Sequence, residues 1–253
     1  MTIQYASDLH LEFPENRTFI QTNPIKKAGD ILILAGDTRY LNGAETTDPI
    51  LNRLSEQFEK VYLIPGNHEF YRQSTDVSSI FPDLERQIQP NMIYLNNRSV
   101  VVGNAKLIFT TLWTAVKDNP ALVEFSMNDF NHIRYQGRRF TVADQNNLHE
   151  QSFAFLQREL SKPTDSKKIV VTHHVPVPFS VASNPHKDEL REAYYVDMAT
   201  VMEKYGVDHW IHGHNHWNLP SYEYKGAMIH TNQLGYVFTG QGKDFIPDKT
   251  IKL

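Results

Sequence analysis

Five short clusters of aspartate, asparagine and histidine punctuate this chain: Asp8-Leu9-His10, Gly36-Asp37, Gly66-Asn67-His68-Glu69, His173-His174 and Gly213-His214-Asn215-His216. Carboxylate and amide oxygens and imidazole nitrogens are donors that divalent first-row cations accept, and with zero Cys no thiolate competes with them. A carboxylate has two oxygens and can bridge two cations, so a paired site needs one central Asp with terminal ligands on either side. Asp37 suits the bridge. Asp8 and His10 share a side of an extended strand end and can clamp one ion, which His216 completes, while Asn67, His173 and His214 take the other. The neutral carbonyl of Asn67 leaves such a pair cationic enough to receive phosphate. Two ions about 3.5–4 Å apart can share a water, lower its pKa and hold both oxygens of an in-line displacement at phosphorus. His68, beside Asn67, would face the substrate and protonate the leaving oxygen or stabilise transition-state charge. Glu69 is placed for a hydrogen bond to one of the imidazoles.

Ligands so far apart in sequence meet only if the fold delivers them to one edge, and each cluster follows a run that reads as a strand. Ile3–Ala6, Ile31–Ala35, Val61–Ile64, Lys168–Thr172 and Val207–Ile211 are short and β-rich. The first strand starts recur at about thirty residues, the size of a βαβ unit, and open α/β sheets place their sites on the loops after the strands. Between them, Pro49–Glu59 has helical spacing with Asp48 as N-cap. A second helix is expected from Val77 to about Gln89, then strands at Met92–Leu95, Val100–Val102 and Leu107–Thr111 joined by Asn-Asn and Gly-Asn turns. Periodicity fails over about 114–139, which reads as an irregular insertion and candidate substrate lid. Its basic and aromatic residues, Arg134, Arg138, Arg139, Phe130 and His132 with Asn128 and the preceding Trp113, could read the substrate, an Arg reaching phosphate through its fork. Ala143–Leu160 returns to helix, Asn184–Glu192 reads as loop, Val196–Tyr205 is a helix stopped by Gly206, and Tyr222–Tyr224, Met228–His230 and Tyr236–Phe238 read as closing strands. Residues 1–253 are expected to form one domain with two sheets.

At 253 residues the chain can bury a sizeable core. A net charge of −4 and a pI near 6.3 give no global reason to expect a nucleic-acid or membrane partner. The lack of Cys suits a reducing compartment, the start shows no signal-type region, and no apolar run is long enough to cross a bilayer. The expectation is a cytoplasmic protein. His209 and His230 lie in strand-like runs and are expected in the core or hydrogen-bonded, with His212 ending its strand. His132, His149 and His186 lie in polar stretches and are expected to face solvent.

In this order the five clusters resemble the calcineurin-like metallophosphoesterase superfamily, whose pattern is D-x-H, GD, GNH(D/E), a later His and GHxH. The resemblance spans Asp8 to His216. It implies an α/β fold, a four-layer α/β/β/α sandwich of two mixed sheets flanked by helices. It also carries the ligand roles onto Asp8, His10, Asp37, Asn67, His173, His214 and His216, with His68 and Asp37 catalytic. The Gly36-Asp37 segment continues Thr38-Arg39-Tyr40, a departure that makes Arg39 a candidate substrate contact beside Arg134. His174 either lines the pocket or packs behind His173. The implied function is hydrolysis of a phosphomonoester or phosphodiester by a metal-bridging hydroxide. Two divalent or mixed-valence ions are needed, manganese first, with iron, zinc, cobalt or nickel admitted by the same ligands. A non-catalytic binding or scaffolding protein that keeps the fold is the alternative, although it would not need both His68 and Asp37. The H-x-H-x-D-H signature of a metallo-β-lactamase-type hydrolase is absent.

Overall fold

In the computed structural model, which describes residues 1–178 and 189–253, side-chain alternation along the strands decides the layers. The first sheet holds β1 (Thr2–Ala6), β2 (Ile31–Ala35), β3 (Lys60–Ile64) and β5 (Met92–Asn96) in parallel, edged by antiparallel β4 (Leu84–Gln89) and β14 (Thr250–Lys252) in the order β14-β1-β2-β3-β5-β4. The second holds β7 (Ala105–Phe109), β10 (Lys167–Val171), β11 (His209–His212) and β13 (Ala227–Thr231) in parallel. Its antiparallel edges are β6 (Arg98–Val102) and β12 (Tyr222–Tyr224), in the order β12-β13-β11-β10-β7-β6.

Ile3, Tyr5, Ile31, Ile33 and Ile64 of the first sheet pack directly on Leu107, Phe109, Ile169, Val171 and Ile211 of the second. The intervening residues point the other way. Leu32, Leu34, Val61 and Leu63 meet Ile20 of α1 (Pro14–Thr22) and Ile50, Leu51 and Leu54 of α2 (Pro49–Gln57). Ile108, Val170 and Trp210 meet α5 (Val142–Leu160) and α6 (Ala199–Tyr205). The result is helices, sheet, sheet, helices, as expected. Both faces of each sheet are covered, which is why the parallel strands read as nearly continuous apolar runs. Each such side chain contributes roughly 1.5–3 kcal/mol by leaving water, so the strand ends that carry the polar clusters stand on a rigid base.

Caps fix the helix starts. Asp48 Oδ1 accepts from the backbone N–H of Ile50, with Pro49 at the first helical position. Thr141 and Asp144 form a capping box that opens α5, and Gly206, at φ 60°, ends α6.

Several local expectations need correction. The helix foreseen from Val77 to Gln89 is a short 3-10 turn, Val77–Ser79, followed by strand β4. Pro82 disfavours helical backbone at Phe81, and Leu84 and Ile88, although their spacing also fits a helix, lie on one face of a strand that pairs with β5. Asn96-Asn97 is a crossover between sheets rather than a hairpin, since β5 and β6 lie in different sheets. The 114–139 segment is not irregular. It holds α3 (Pro120–Ser126), α4 (Asp129–His132) and a hairpin of β8 (Arg134–Tyr135) with β9 (Arg138–Arg139), built on buried Trp113, Phe130, Ile133 and Phe140. Val237–Thr239 is a 3-10 turn where a strand was expected. Expected loop residues 184–188, with His186, lie outside the described residues. His149 is half-buried, Nδ1 donating to Trp113 O at 2.7 Å, instead of facing solvent. His209 and His230 are hydrogen-bonded to each other at 3.0 Å. Among the described residues, no helix is long and apolar enough to cross a membrane.

Candidate metal centre

The clusters meet where the parallel strands of both sheets end. The loops after β1, β2 and β3 bring Asp8 and His10, Asp37, and Asn67 with His68; those after β10 and β11 bring His173, and His214 with His216. Five of these turn the chain sharply: φ is 54° at Asp8, 46° at His10, 51° at Asp37, 81° at His214 and 55° at His216. Left-handed backbone costs a non-glycine residue about 1–3 kcal/mol and collects at functional sites. Backbone bonds hold these turns, Asp8 N–H to Gly36 O at 3.0 Å and His10 N–H to Asp37 O at 2.9 Å. The neighbouring glycines are required by crowding. A Cβ on Gly66 would strike Asp37 Oδ1, and one on Gly36 would strike the His173 ring.

Two groups of donor atoms form around one carboxylate. Asp8, His10, Asp37 and His216 each offer a ligand atom within 4.8 Å of the others, and so do Asp37, His173 and His214. Asp37 Oδ2 faces both groups, 3.8 Å from His10 Nε2 and 3.4 Å from His173 Nε2. Asn67 Oδ1 joins the second group at 3.0 Å from His173 Nε2.

The orientation of each ring follows from its far nitrogen. An oxygen without a proton can only accept, so His10 donates through Nδ1 to Glu12 (3.2 Å), His173 to Ala35 O (3.0 Å) and His216 to Gln241 Oε1 (2.8 Å). Each of these bonds turns Nε2 toward the carboxylates, the arrangement that metal-binding histidines need. Asn67 spends its NH2 on Asp129 Oδ1 (2.8 Å) and the Tyr71 hydroxyl (3.2 Å), which leaves its carbonyl oxygen facing His173. His214 turns Nδ1 to the second group, 3.2 Å from His173 Nε2, while its Nε2 is buried with no hydrogen-bond partner among the described residues. Lone pairs thus converge on two points with few protons between them, and these residues fit two cations.

The electrostatics agree. Burial alone would raise Asp8 and Asp37, yet the surrounding imidazoles hold both below the usual carboxylate range, Asp37 well below it. Burial would lower His173, but Asp37 and Asp8 override it and push it up to about 10. The carboxylates that draw a proton to His173 would draw a cation. Burial and the nearby His173 push His174 down to about 3, so it stays neutral. His174 packs behind the pair, its ring centroid 4.3 Å from that of His214.

His68 lies at the mouth with its backbone N–H bonded to Asp37 Oδ1 at 2.9 Å. Its Nδ1 reaches Glu12 Oε1 at 2.8 Å and its Nε2 the Tyr236 hydroxyl at 2.9 Å. Against the effect of burial, the charges of Asp37 and Glu12 hold His68 above the ordinary histidine range. A cavity of about 280 Å³ opens here, lined by Asp37, Asn67, His68, His214 and His216 together with Ser126, Met127 and Asn128 of the inserted segment.

Other expected roles move. Among the described residues Glu69 bonds no imidazole; its carboxylate accepts from the backbone N–H of Gly66 (2.8 Å), Asp37 (3.0 Å) and Thr38 (2.9 Å), tying the loops after β2 and β3 together. Arg39 is not brought to the cavity, because its guanidinium is held by Asp48 and Ala44 O. Arg134 sits in the hairpin opposite Arg139, Arg138 is paired with Asp144, and none of the three lines the cavity. Trp113 and Phe130 are core. Sequence reasoning missed Glu12, Asp129, Tyr236 and Gln241. Only Glu12 carried a local signal, falling two residues beyond His10 as His10 falls two beyond Asp8.

A family model described as calcineurin-like phosphoesterase matches residues 1–218. The "Uncharacterized protein L509" of Acanthamoeba polyphaga mimivirus is 27% identical over 260 residues, covering 92% of this chain and 91% of that protein. Among solved structures, the phosphopantetheinyl hydrolase PptH from Mycobacterium tuberculosis superposes with a TM-score of 0.68 at 17% identity, over 93% of this chain and 89% of that one. The last likeness is one of fold.

Proposed function

The chain belongs to the calcineurin-like phosphoesterase family and is a metal-dependent phosphoester hydrolase, and from that membership we propose that it works with two ions on a phosphomonoester or phosphodiester. The observation that carries the paired site is Asp37 Oδ2, which faces His10 on one side and His173 on the other. When bound, divalent cations would lower the pKa of a water and neutralise phosphoryl oxygens. Asp8, His10, Asp37 and His216 would hold one ion, Asn67, His173, His214 and Asp37 the other, with manganese the first choice. His68 lines the cavity, positioned by Glu12, and gives a proton to the departing oxygen. Residues 1–253 act as one domain, with Ser126–Asn128 of the inserted segment walling the cavity as the fixed base of a lid, and the chain works in the cytoplasm.

The test compares hydrolysis of p-nitrophenyl phosphate and bis(p-nitrophenyl) phosphate by metal-stripped protein, with and without manganese, beside Asp37→Asn. Manganese-dependent turnover, with both ions lost from the variant by elemental analysis, supports the paired site. Undiminished metal content in Asp37→Asn removes the bridge.

A further inference from the structure

A second cavity, of about 290 Å³, lies beside the first and shares His68 with it. His68, Tyr71, Asn128 and Tyr236 line both cavities, so the two adjoin at His68. Their chemistry differs. The first is polar, whereas the second is walled by Phe13, Tyr40, Tyr71, Tyr236 and Phe238. The Tyr236 and Phe238 rings stack at 5.5 Å, Phe13 stands edge-on to both at 5.6 and 5.5 Å, and Phe238 is 54% exposed. An aromatic ring left that open beside a reaction site offers a free π-face.

The cleft also has a polar edge. Arg72 lines it with its guanidinium 5.9 Å from the Tyr40 ring centroid, and no carboxylate among the described residues pairs with it. The Arg72 backbone is left-handed, φ 55° and ψ 34°, a conformation that non-glycine residues adopt at a cost. His132 and Asn128 complete that edge. Ring faces bordered by hydrogen-bonding groups recognise a planar heteroaromatic ring. An aliphatic chain would be better served by the separate cavity of Val175, Val177 and Leu219. The volume lies at the small end of ligand pockets and suits one nucleoside better than a polymer.

Resting on the reading of the chain as a phosphoester hydrolase with His68 on the leaving-group side, we propose that the leaving group is a nucleoside whose base stacks in this aromatic cleft. Phe238, backed by Tyr236, supplies the stacking face, and Arg72 lies at the base edge on the Tyr40 side.

The test uses the leaving alcohol itself. Calorimetric binding of adenosine and of ribose to manganese-loaded protein is compared for the parent, Phe238→Ala and Arg72→Ala, and turnover of bis(p-nitrophenyl) phosphate is measured on the same preparations. Adenosine should bind the parent at least roughly tenfold tighter than ribose, and Phe238→Ala should weaken adenosine roughly 5- to 150-fold, the range of one base–aromatic stack. Both side chains are exposed, so folding should survive, and Arg72→Ala gives an independent loss if Phe238→Ala does not fold. Adenosine binding no tighter than ribose, or unchanged in both folded variants, overturns the proposal whether or not the diester is cleaved. Tight adenosine binding without metal-dependent turnover would keep the cleft and count against the hydrolase reading alone.

Discussion

The carboxylate of Glu12 accepts a hydrogen bond from Nδ1 of His68 across 2.8 Å, and the same oxygen lies 3.2 Å from Nδ1 of His10. One buried side chain therefore fixes both a candidate metal ligand and the candidate acid. For His10 the bond turns Nε2 to the carboxylates. For His68 it places Nε2 on the cavity side beside the Tyr236 hydroxyl, and its negative charge favours the protonated ring. The segment after Asp37, where the sequence departs from the family pattern, has no part in this pairing, and the partner of His68 comes instead from two residues beyond the first cluster.

Glu12→Gln keeps a hydrogen-bond acceptor but removes the charge. At saturating manganese its kcat on an alkyl phosphate ester, whose leaving oxygen needs a proton, should fall roughly tenfold or more. The fall on a p-nitrophenyl ester, whose leaving oxygen needs little help, should be much smaller. Equal losses on the two esters would mean that Glu12 acts on the metal side through His10 and does not position His68.

What was legible in the sequence was whatever is local. The Asp48 cap and the strand before each cluster depend on neighbours within a few residues, and they stand where expected. The β4 strand was misread: the spacing of Leu84 and Ile88 also fits a helix, and only pairing with Met92–Asn96 reveals them as a strand face. Strand β14 was not foreseen at all, since three residues, Thr250–Lys252, are strand only because β1 offers them an edge. The ligand set was readable because its clusters have an order. Its supporting residues were not, because Asp129 meets Asn67 from 62 positions away and Tyr236 meets His68 from 168 away.

Asp129 gives the inserted segment a role below the cavity. Its carboxylate accepts from Asn67 Nδ2 and from the Tyr71 hydroxyl, and that decides which end of the Asn67 amide faces His173. Asp129→Ala should free the amide to turn and leave a buried hydroxyl short of a partner, costing about 1–3 kcal/mol of stability. Affinity for the ion on the Asn67 and His173 side should fall roughly 10- to 100-fold, as for other residues that orient ligands, while the ion held by Asp8, His10 and His216 stays. Metal titration followed by elemental analysis would show one of two ions lost. Parent affinity for both would mean that Asn67 is oriented without Asp129, or is no ligand.

His230 bridges Ser221 Oγ at 2.8 Å and His209 at 3.0 Å, with the Tyr5 ring edge-on beside it. Burial, then the neighbouring His209 and Lys249, push His230 down to about 3. An unfolded histidine titrates near 6.5, so between about pH 3 and 6.5 the unfolded chain binds a proton that the folded chain refuses. Stability then rises with pH through that window and is lost as the medium is acidified below 6.5. The loss from this one group is roughly 2 kcal/mol between pH 7 and pH 5. His230→Gln should be less stable than the parent at pH 8, where it gives up well-made bonds, yet lose less on acidification, so that the two urea midpoints converge toward pH 5. Parallel midpoints from pH 8 to pH 5 would show that His230 takes up its proton in the folded chain as readily as in the unfolded one.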